Sequence, residues 1–389
     1  MLMKNKVYLD YAATTPIDEE VLDVMLPYLK EKFGNASSIH QFGQVTRAAI
    51  ESSRDTICKI LRAKPNEIYF TSGGTEAINL ALFGSANAIR KESGKNHIIT
   101  SAAEHHATLE VCEKLEKSGF EVSYIHPTEN GNIDVVKIEN EIKPTTVLIS
   151  LMHINNEVGS VNDLNQIINT CKKHSIILHI DSVQSFAKYD IDLSNLEIDL
   201  LSASSHKVFG PKGAGLLFIR QGTPIEPILY GGSQERKRRG GTENTPAIVG
   251  FSKAAEIFYK NRTENFNHVS KIKNSFMELI KSFDIDILLN SPANECSPYI
   301  LNLSINPERY SINSDSLIMN LDMNGIAVSS GSACTSGVME SSHVLKAMNL
   351  PKERAERALR FSFSRYTTIE EIEKALQELK EILSKSKTK

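Results

Sequence analysis

Two charged side chains in this sequence stand where buried strands are expected to end. Asp181 closes the apolar run "IILHI", and Lys207 follows "LLSASSH". A bare carboxylate at the mouth of a sheet is costly unless a cation meets it. An ion pair with Lys207 is the simpler explanation. The alternative is chemical: the lysine forms a Schiff base with pyridoxal phosphate (PLP), and the aspartate keeps the pyridine nitrogen protonated, which makes the ring a better electron sink.

Two segments offer contacts for the phosphate of such a cofactor. "FTSGGTEAIN" joins a strand to a helix through glycines and Thr75, and Gly74 opens that helix. Backbone N–H groups at a helix N-terminus bind phosphate, although many glycine turns are only structural. "SASSHK" adds Ser204 and His206 beside the lysine as further donors. The two segments together favour the chemical alternative.

Three more polar side chains follow predicted strands. His105 in "SAAEHHATLE" is placed where an imidazole can stack on a flat ring. Asn156 in "HINNEVG" can orient a cofactor hydroxyl or a substrate carboxylate, and Gln184 follows Asp181 in the same loop. Each signal is weak alone, but together they are hard to explain as packing.

Cys334 stands among small and polar residues in "GIAVSSGSACTSGVMESSHVL". Because this segment has few apolar neighbours to bury a thiol, we expect Cys334 to be exposed on a mobile loop, where a thiolate can meet a substrate. Cys58, Cys112 and Cys171 are instead expected to be buried as small hydrophobic side chains.

The elements that position these residues alternate between strand and helix from about residue 45 to residue 220. Apolar strands are expected at 67–72, 97–101, 121–127, 146–154, 176–181, 200–205 and 213–220, with helices at 44–61, 74–91, 106–119 and 164–175. This pattern predicts βα units and a largely parallel sheet. Ligands bind such sheets at the carboxyl ends of the strands, where the polar residues gather.

The pattern changes after residue 245. One long helix or two are expected over 247–283, strands at 285–290, 299–305, 326–330 and 358–364, and a last helix over 368–385, capped by Thr367 or Thr368. We therefore predict a large α/β domain, residues 15–250, and a smaller α+β domain formed by residues 1–14 and 251–389, which carries the Cys334 loop.

Composition excludes several classes of protein. The chain has 389 residues, 41% hydrophobic and 23% charged, with a net charge of −3, which argues against a polyanion binder. The basic run at 236–239 is too short to indicate nucleic-acid binding. No apolar stretch is long enough to predict a membrane span, and the N-terminus lacks a secretory signal pattern. Five cysteines without a Cys-x-x-Cys pair indicate neither disulfides nor a structural metal site, so a reducing cytoplasm is expected.

Many segments carry a resemblance to one enzyme family. They are "YLDYAATTP", "FGNASSIHQFG", "FTSGGTEAINLA", "EHHATLE", "MHINNEVG", "DSVQS", "SSHKVFGPKG", "GGSQERKRRGGTENTP", "SSGSACTSG" and "RFSFSRYTT". Nearly end to end, the sequence resembles the PLP-dependent cysteine desulfurases of the NifS/IscS type, in the branch with a long, flexible cysteine loop. The resemblance implies PLP fold-type I, with a mainly parallel sheet flanked by helices and a smaller α+β domain.

The resemblance also implies a role for each site residue. Lys207 would hold PLP and move the Cα proton, and Cys334 would accept the sulfur. Asp181 would bind the pyridine nitrogen, His105 would stack on the ring face, and Gln184 would bind the phenolic oxygen. The phosphate would be held by Gly74, Thr75, Ser204 and His206, and in a homodimer Thr242 would contact the phosphate of the partner subunit. Asn156 and Arg360 would bind the substrate carboxylate.

The implied reaction converts L-cysteine to L-alanine and leaves a persulfide on Cys334. The sulfur would pass to an acceptor protein, such as an iron–sulfur scaffold or a tRNA-thiolation enzyme. A selenocysteine lyase or a PLP aminotransferase shares the lysine, the aspartate and the phosphate turn, but an aminotransferase has no use for Cys334. A sulfur-relay binding module without catalysis is a further alternative.

Overall fold

The structure is a computed structural model that describes residues 6–330 and 342–387. Its strands are β1 (Val7–Tyr8), β2 (Ile68–Thr71), β3 (His97–Ser101), β4 (Glu121–Ile125), β5 (Thr146–Met152), β6 (Ile177–Asp181), β7 (Leu200–Ser204), β8 (Gly215–Ile219), β9 (Ile287–Leu289), β10 (Ile300–Ile305), β11 (Ile326–Ala327) and β12 (Ala358–Ser362). Its α-helices are α1 (Glu19–Lys30), α2 (Gln41–Leu61), α3 (Gly74–Ser93), α4 (His106–Lys117), α5 (Val135–Glu141), α6 (Leu164–His174), α7 (Thr245–Lys260), α8 (Arg262–Ser282), α9 (Ser314–Met323), α10 (His343–Ala347), α11 (Lys352–Ala355) and α12 (Ile369–Ser384).

A seven-stranded sheet forms the centre, in the order β2-β8-β7-β6-β5-β3-β4. The pairs from β7 to β4 are parallel, and β8 is antiparallel to both of its neighbours. Every residue of β5 is buried, which is typical of a sheet covered by helices on both faces. The predicted α/β class with a largely parallel sheet is confirmed.

The crossovers bring the ends of distant strands together. Met152, the last residue of β5, pairs with Asp181 at the end of β6, and Asp181 pairs with Ser202 of β7. Since these strands are parallel, the loops that follow them leave at one edge of the sheet. That edge carries the polar residues selected from the sequence.

The C-terminal part builds a second, smaller sheet with the order β12-β10-β9, antiparallel throughout. Helices α8 and α12 pack together, and the Phe276 ring of α8 lies 4.8 Å from that of Phe361 in β12. The N-terminal strand β1 joins this part by pairing with β11. The residue boundaries assigned above to the two domains stay a prediction.

Local signals explain most element boundaries. The segment 247–283 forms two helices that meet at Asn261, and α12 begins with a capping box between Thr368 and Glu371. Helix α1 was not predicted from the sequence, and it contains Pro27, a residue that normally disfavours a helix interior. No helix in the described ranges is both long and apolar enough to cross a membrane.

Candidate active site

A cavity of about 340 Å³ opens at the carboxyl edge of the large sheet. Its lining includes ten of the residues selected from the sequence: Gly74, Thr75, His105, Asn156, Asp181, Gln184, Ser204, His206, Lys207 and Arg360. They come from the starts of α3 and α4, from the ends of β5, β6 and β7 or the loops that follow, and from β12. The fold therefore brings together residues that are far apart in the sequence.

Lys207 lies in a single 3-10 turn directly after β7. Its Nζ donates to the carbonyl oxygens of Ala12 and Ala13, both at 2.7 Å. Burial, helped by the positive charge of Arg360, lowers the pKa of Lys207 to about 8. A substantial fraction of the amine is therefore neutral near pH 7.5, which suits a nucleophile or a general base.

Asp181 is 6% exposed at the end of β6, and its Oδ1 accepts a hydrogen bond from the backbone N–H of Val183 at 2.8 Å. Burial raises its pKa to about 6, although the Val183 N–H and the charge of Lys207 oppose the rise. Within the described part of the chain, Asp181 forms no ion pair, because Lys207 is bonded to backbone carbonyls. The simpler explanation of Asp181, a pair with Lys207, is therefore not what the structure contains.

His105 is both a wall of the cavity and the N-cap of α4. Its Nδ1 accepts a hydrogen bond from the N–H of Ala107 at 3.0 Å, so a neutral ring carries its proton on Nε2. Burial first, and then the charge of Lys207, lowers the pKa of His105 to about 4. The imidazole is therefore uncharged at neutral pH, so it adds no positive charge next to a ring whose nitrogen is protonated.

The start of α3 forms one end of the cavity. A Cβ at Gly74 would lie 2.8 Å from a methyl group of Val183, so this position has no room for a side chain. Ser204 is buried beside this position, with its Cβ 3.5 Å from a Cβ built on Gly74, and His206 Nδ1 lies 3.1 Å from Thr14 Oγ1. The free N–H groups and the dipole of a 20-residue helix favour an anion here.

Arg360 on β12 is 4% exposed and is held by two acceptors. Its Nη2 donates to Asp10 Oδ1 at 2.8 Å, and its Nη1 donates to the carbonyl oxygen of Asn156 at 3.0 Å. The Nε atom of Arg360 and Oδ1 of Asn156 are buried without a hydrogen-bond partner in residues 6–330 and 342–387. Buried polar groups are normally bonded, so these two atoms indicate a place for a ligand.

A second buried lysine, Lys188, was not predicted from the sequence. Its Nζ donates to Gln184 Oε1 at 3.4 Å and lies 5.3 Å from the centre of the Tyr299 ring. Burial, and then the charge of Lys207, lowers its pKa to about 7. Gln184 Nε2 donates to the Ala12 carbonyl, so its amide is fixed from both ends. No local pattern distinguishes Lys188 from a surface lysine, and only its position four residues after Gln184 hints at their contact.

One selected residue of the described ranges, Thr242, is not among the lining of this cavity. Thr242 lines a separate cavity of about 170 Å³, together with Ser72, Gly213 and Arg239. Cys334 lies outside the described residues. The other prediction about thiols is confirmed, since Cys58, Cys112 and Cys171 are buried and free.

Comparisons with known proteins agree with this geometry. The family profile "Aminotransferase class-V" matches residues 7–375. The cysteine desulfurase IscS of Dictyoglomus turgidum is 44% identical over 386 residues, which cover 99% of this chain and 96% of the relative. The chain belongs to the class-V aminotransferase family, among the cysteine desulfurases of the NifS/IscS type.

Solved structures extend the match within this family. The structure of a NifS-like protein superposes with a TM-score of 0.90 at 35% identity, covering 97% of this chain and 99% of that one. A second structure, of SspA in complex with cysteine, has a TM-score of 0.82 at 35% identity and covers 93% and 100%.

PLP is the cofactor of this family, and the cavity suits it. A buried carboxylate without a cation partner suits a pyridinium nitrogen, and a lysine with a lowered pKa suits an amine that binds an aldehyde. The crowded glycine at the start of α3 leaves its N–H groups accessible to a phosphate. The donors and acceptors around the cavity therefore match the three chemical parts of PLP.

Proposed function

We propose that this enzyme converts L-cysteine to L-alanine and holds the sulfur as a persulfide on Cys334. The observation that supports it best is the meeting of Lys207, Asp181 and Arg360 in one cavity of a chain so similar to cysteine desulfurases. One structural neighbour, SspA, was solved in complex with cysteine. An amino-acid substrate needs a cation for its carboxylate and a base for its Cα proton, and these residues offer both.

The proposal assigns the contacts of PLP to residues of this cavity. Asp181 would bind the ring nitrogen, His105 would face the ring, and Gln184 would bind the phenolic oxygen. When bound, PLP supplies an electron sink for negative charge at the substrate's Cα. The phosphate would be held by Gly74, Thr75, Ser204 and His206.

Lys207 and Arg360 act on the substrate. Arg360 would hold the carboxylate, using Nε and the Nη hydrogens that are not committed to Asp10 and Asn156. A planar guanidinium binds a carboxylate with two parallel hydrogen bonds. The neutral amine of Lys207 would take the proton from Cα. Its lowered pKa keeps enough free base for this step near neutral pH.

Sulfur transfer requires a nucleophile in addition to Lys207. The Cys334 thiolate would attack the substrate's sulfur, so that an S–S bond forms while the substrate's Cβ–S bond breaks. The electron pair of the broken bond stays with the carbon fragment, which takes up a proton and leaves as L-alanine. The persulfide then passes its sulfur to a thiol reductant or to an acceptor protein, such as an iron–sulfur scaffold or a tRNA-thiolation enzyme. A reducing cytoplasm suits this thiol chemistry.

A homodimer completes the proposal. Thr242 is expected to contact the phosphate bound by the partner subunit, since it lines a different cavity from Lys207 in its own chain. Large apolar side chains are exposed on α1, on the loop that follows it and on α2: Leu22, Leu26, Leu29, Phe33, Ile39, Phe42 and Val45. Phe33 and Phe42 contact each other, with ring centres 5.8 Å apart. Large apolar side chains exposed close together are typical of a protein interface.

The experiment measures alanine and sulfide released from L-cysteine in the presence of a thiol reductant. Wild type should release both in equal amounts, and Cys334→Ala should release neither. Cys296→Ala is the matched control, because Cys296 is the partly exposed cysteine of the described ranges, and it should keep full activity. Full activity of Cys334→Ala would contradict the proposal and favour a selenocysteine lyase or general β-lyase chemistry.

A further inference from the structure

The segment that carries Thr242, residues 231–242, contains an unusual backbone. Three successive residues in it, Glu235, Arg236 and Lys237, have positive φ angles of 40°, 53° and 65°. The left-handed region costs a residue with a Cβ about 1–2 kcal/mol. Such a turn persists only where the surroundings hold it in place. We call this segment the Thr242 loop.

A buried ion pair holds the strained turn. Arg54 of α2 donates through Nη2 to Glu235 Oε1 at 2.9 Å and through Nη1 to Glu235 Oε2 at 3.0 Å. The same carboxylate accepts the N–H of Phe70 at 2.9 Å, and Arg54 also donates to the carbonyl oxygen of Ile68. Both charged side chains are almost fully buried. The turn is therefore fixed to α2 and β2 by a bidentate ion pair, and both partners also form hydrogen bonds to the backbone.

A second ion pair links the loop to the start of α3. Arg239 donates through Nε to Glu76 Oε1 at 2.8 Å and through Nη2 to Glu76 Oε2 at 3.3 Å. Glu76 also accepts the N–H of Ser72 at 2.9 Å. Glu76 directly follows Thr75, so the loop is attached one residue away from the turn that lines the cavity.

We infer that Glu235 and Arg239 are positioning residues, whose ion pairs with Arg54 and Glu76 present Thr242 to the cofactor of the partner subunit. The inference rests on the proposed homodimer and on the proposed role of Thr242. Its particular consequence is that Glu76, although it is next to the phosphate turn of its own chain, acts on the site of the other chain.

The test uses mixed dimers in which the two chains are distinguishable. A ¹⁵N-labelled wild-type chain is paired with an unlabelled variant chain, and the mixed dimer is isolated through two different affinity tags. It is depleted of PLP and titrated with PLP, and borohydride then fixes the bound PLP to Lys207. Mass spectrometry of the Lys207 peptide shows separately how much PLP each chain holds.

Arg239→Met is the first variant, because Arg239 is only partly buried and its loss leaves no deeply buried partner charge. We expect the labelled wild-type chain to bind PLP about tenfold more weakly, since it loses a well-placed hydrogen bond to a charged group. The variant chain itself should bind PLP as wild type does. Glu76→Gln should likewise weaken PLP binding in the wild-type chain and leave it unchanged in the variant chain. It replaces Arg239→Met in the test if Arg239→Met does not form dimers.

Arg236→Met is the matched control, since Arg236 is in the same loop but is more exposed, and its two contacts are long: 3.8 Å to Glu51 and 5.9 Å to the centre of the Tyr69 ring. It should leave both chains unchanged. If the loss instead falls on the chain that carries Arg239→Met, or if neither chain loses PLP, the inference is wrong.

A Thr242→Ala chain separates failure of the inference from failure of the proposed function. It should weaken PLP binding in its wild-type partner as Arg239→Met does. If Thr242→Ala has no effect on the partner, the proposed role of Thr242 fails, and the inference fails with it. If Thr242→Ala has the expected effect and Arg239→Met does not, only the inference fails.

Discussion

The two central ionisable groups of the cavity are held in environments that oppose their charged forms. Asp181 has a pKa raised to about 6 and Lys207 a pKa lowered to about 8, each mainly because burial removes water from the charge. A protein that kept these residues only for stability would gain from replacing them. The proposed function accounts for both residues, since PLP would supply a cation to Asp181 and react with the amine of Lys207.

The stability of the PLP-free enzyme should therefore depend on pH through Asp181. Its pKa is higher in the folded state, about 6, than the ordinary value of 3.8, so the folded state binds more protons between these values. The contribution of Asp181 to the free energy of unfolding therefore falls as pH rises from about 4 to 6. Asp181→Asn removes this effect and should be more stable than wild type at pH 8 by up to about 3 kcal/mol.

Urea unfolding of both PLP-free proteins at pH 4 and pH 8 measures this difference. The two proteins should have similar free energies of unfolding at pH 4, and the variant should be the more stable of the two at pH 8. A difference that does not change with pH would show that Asp181 is not an unfavourable buried charge. With PLP present the order at pH 8 should reverse, because ligand binding stabilises only the protein that retains the aspartate.

The amine of Lys207 makes a separate prediction about PLP uptake. Only the neutral amine reacts with an aldehyde, so the rate at which PLP-free enzyme takes up PLP should rise with pH and level off above about 8. Arg360→Met removes a cation that lowers the pKa of Lys207, so the midpoint should move to higher pH. Stopped-flow absorbance between pH 6 and 10 measures both profiles, and an unshifted midpoint in the variant would exclude this influence of Arg360.

At the scale of elements, the close approach of α3 to the loop after β6 shapes the end of the cavity that is proposed to bind the phosphate. A Cβ at residue 74 would lie 2.8 Å from Val183 Cγ2 and 3.5 Å from Ser204 Cβ. Gly74→Ala therefore has to push α3 away from the loop, and PLP affinity should fall by about tenfold through the lost alignment of the N–H groups.

A second substitution tests whether space is the cause. Val183→Ala removes the methyl group that the new Cβ meets, so the double variant Gly74→Ala/Val183→Ala should regain most of the PLP affinity. Equilibrium dialysis of PLP against wild type, both single variants and the double variant gives the four values. If the double variant binds as weakly as Gly74→Ala alone, the crowding at Val183 is not the reason for the loss.

The sequence predicted those parts of the site that local patterns carry. Asp181 and Ser204 are the last residues of two short strands that are largely apolar, and Lys207 comes three residues after Ser204. The carboxyl ends of strands in βα units lie at one edge of the sheet, where ligands bind. Asp10 could not be assigned in this way, because its partner Arg360 is 350 residues away and neither segment shows a pattern that selects the other. Lys188 was missed because a buried lysine has the same local sequence as an exposed one.

At the scale of the whole molecule, large aromatic side chains are exposed near the N-terminal helices of the described chain. The side chains of Phe33 and Phe42 are 71% and 57% exposed, and their rings lie 5.8 Å apart. They flank the junction of α1 and α2, two helices that pack on α7. Helix α7 begins at Thr245, so the apolar surface and Thr242 are attached to the same group of helices.

Charges introduced into this surface should distinguish it from other exposed apolar side chains. Phe33→Asp/Phe42→Asp places two charges in the proposed interface, where they would be desolvated without partners, so the variant should sediment as a monomer. It should also bind PLP more weakly, by about tenfold, because each site then lacks the Thr242 of the other chain.

Met319→Asp/Met323→Asp is the matched control, since these side chains are 70% and 83% exposed on α9. Analytical ultracentrifugation and PLP dialysis should find the control dimeric with unchanged affinity. A dimer that survives both aspartates would place the interface elsewhere, whereas a monomer with full PLP affinity would show that the partner subunit adds nothing to the site.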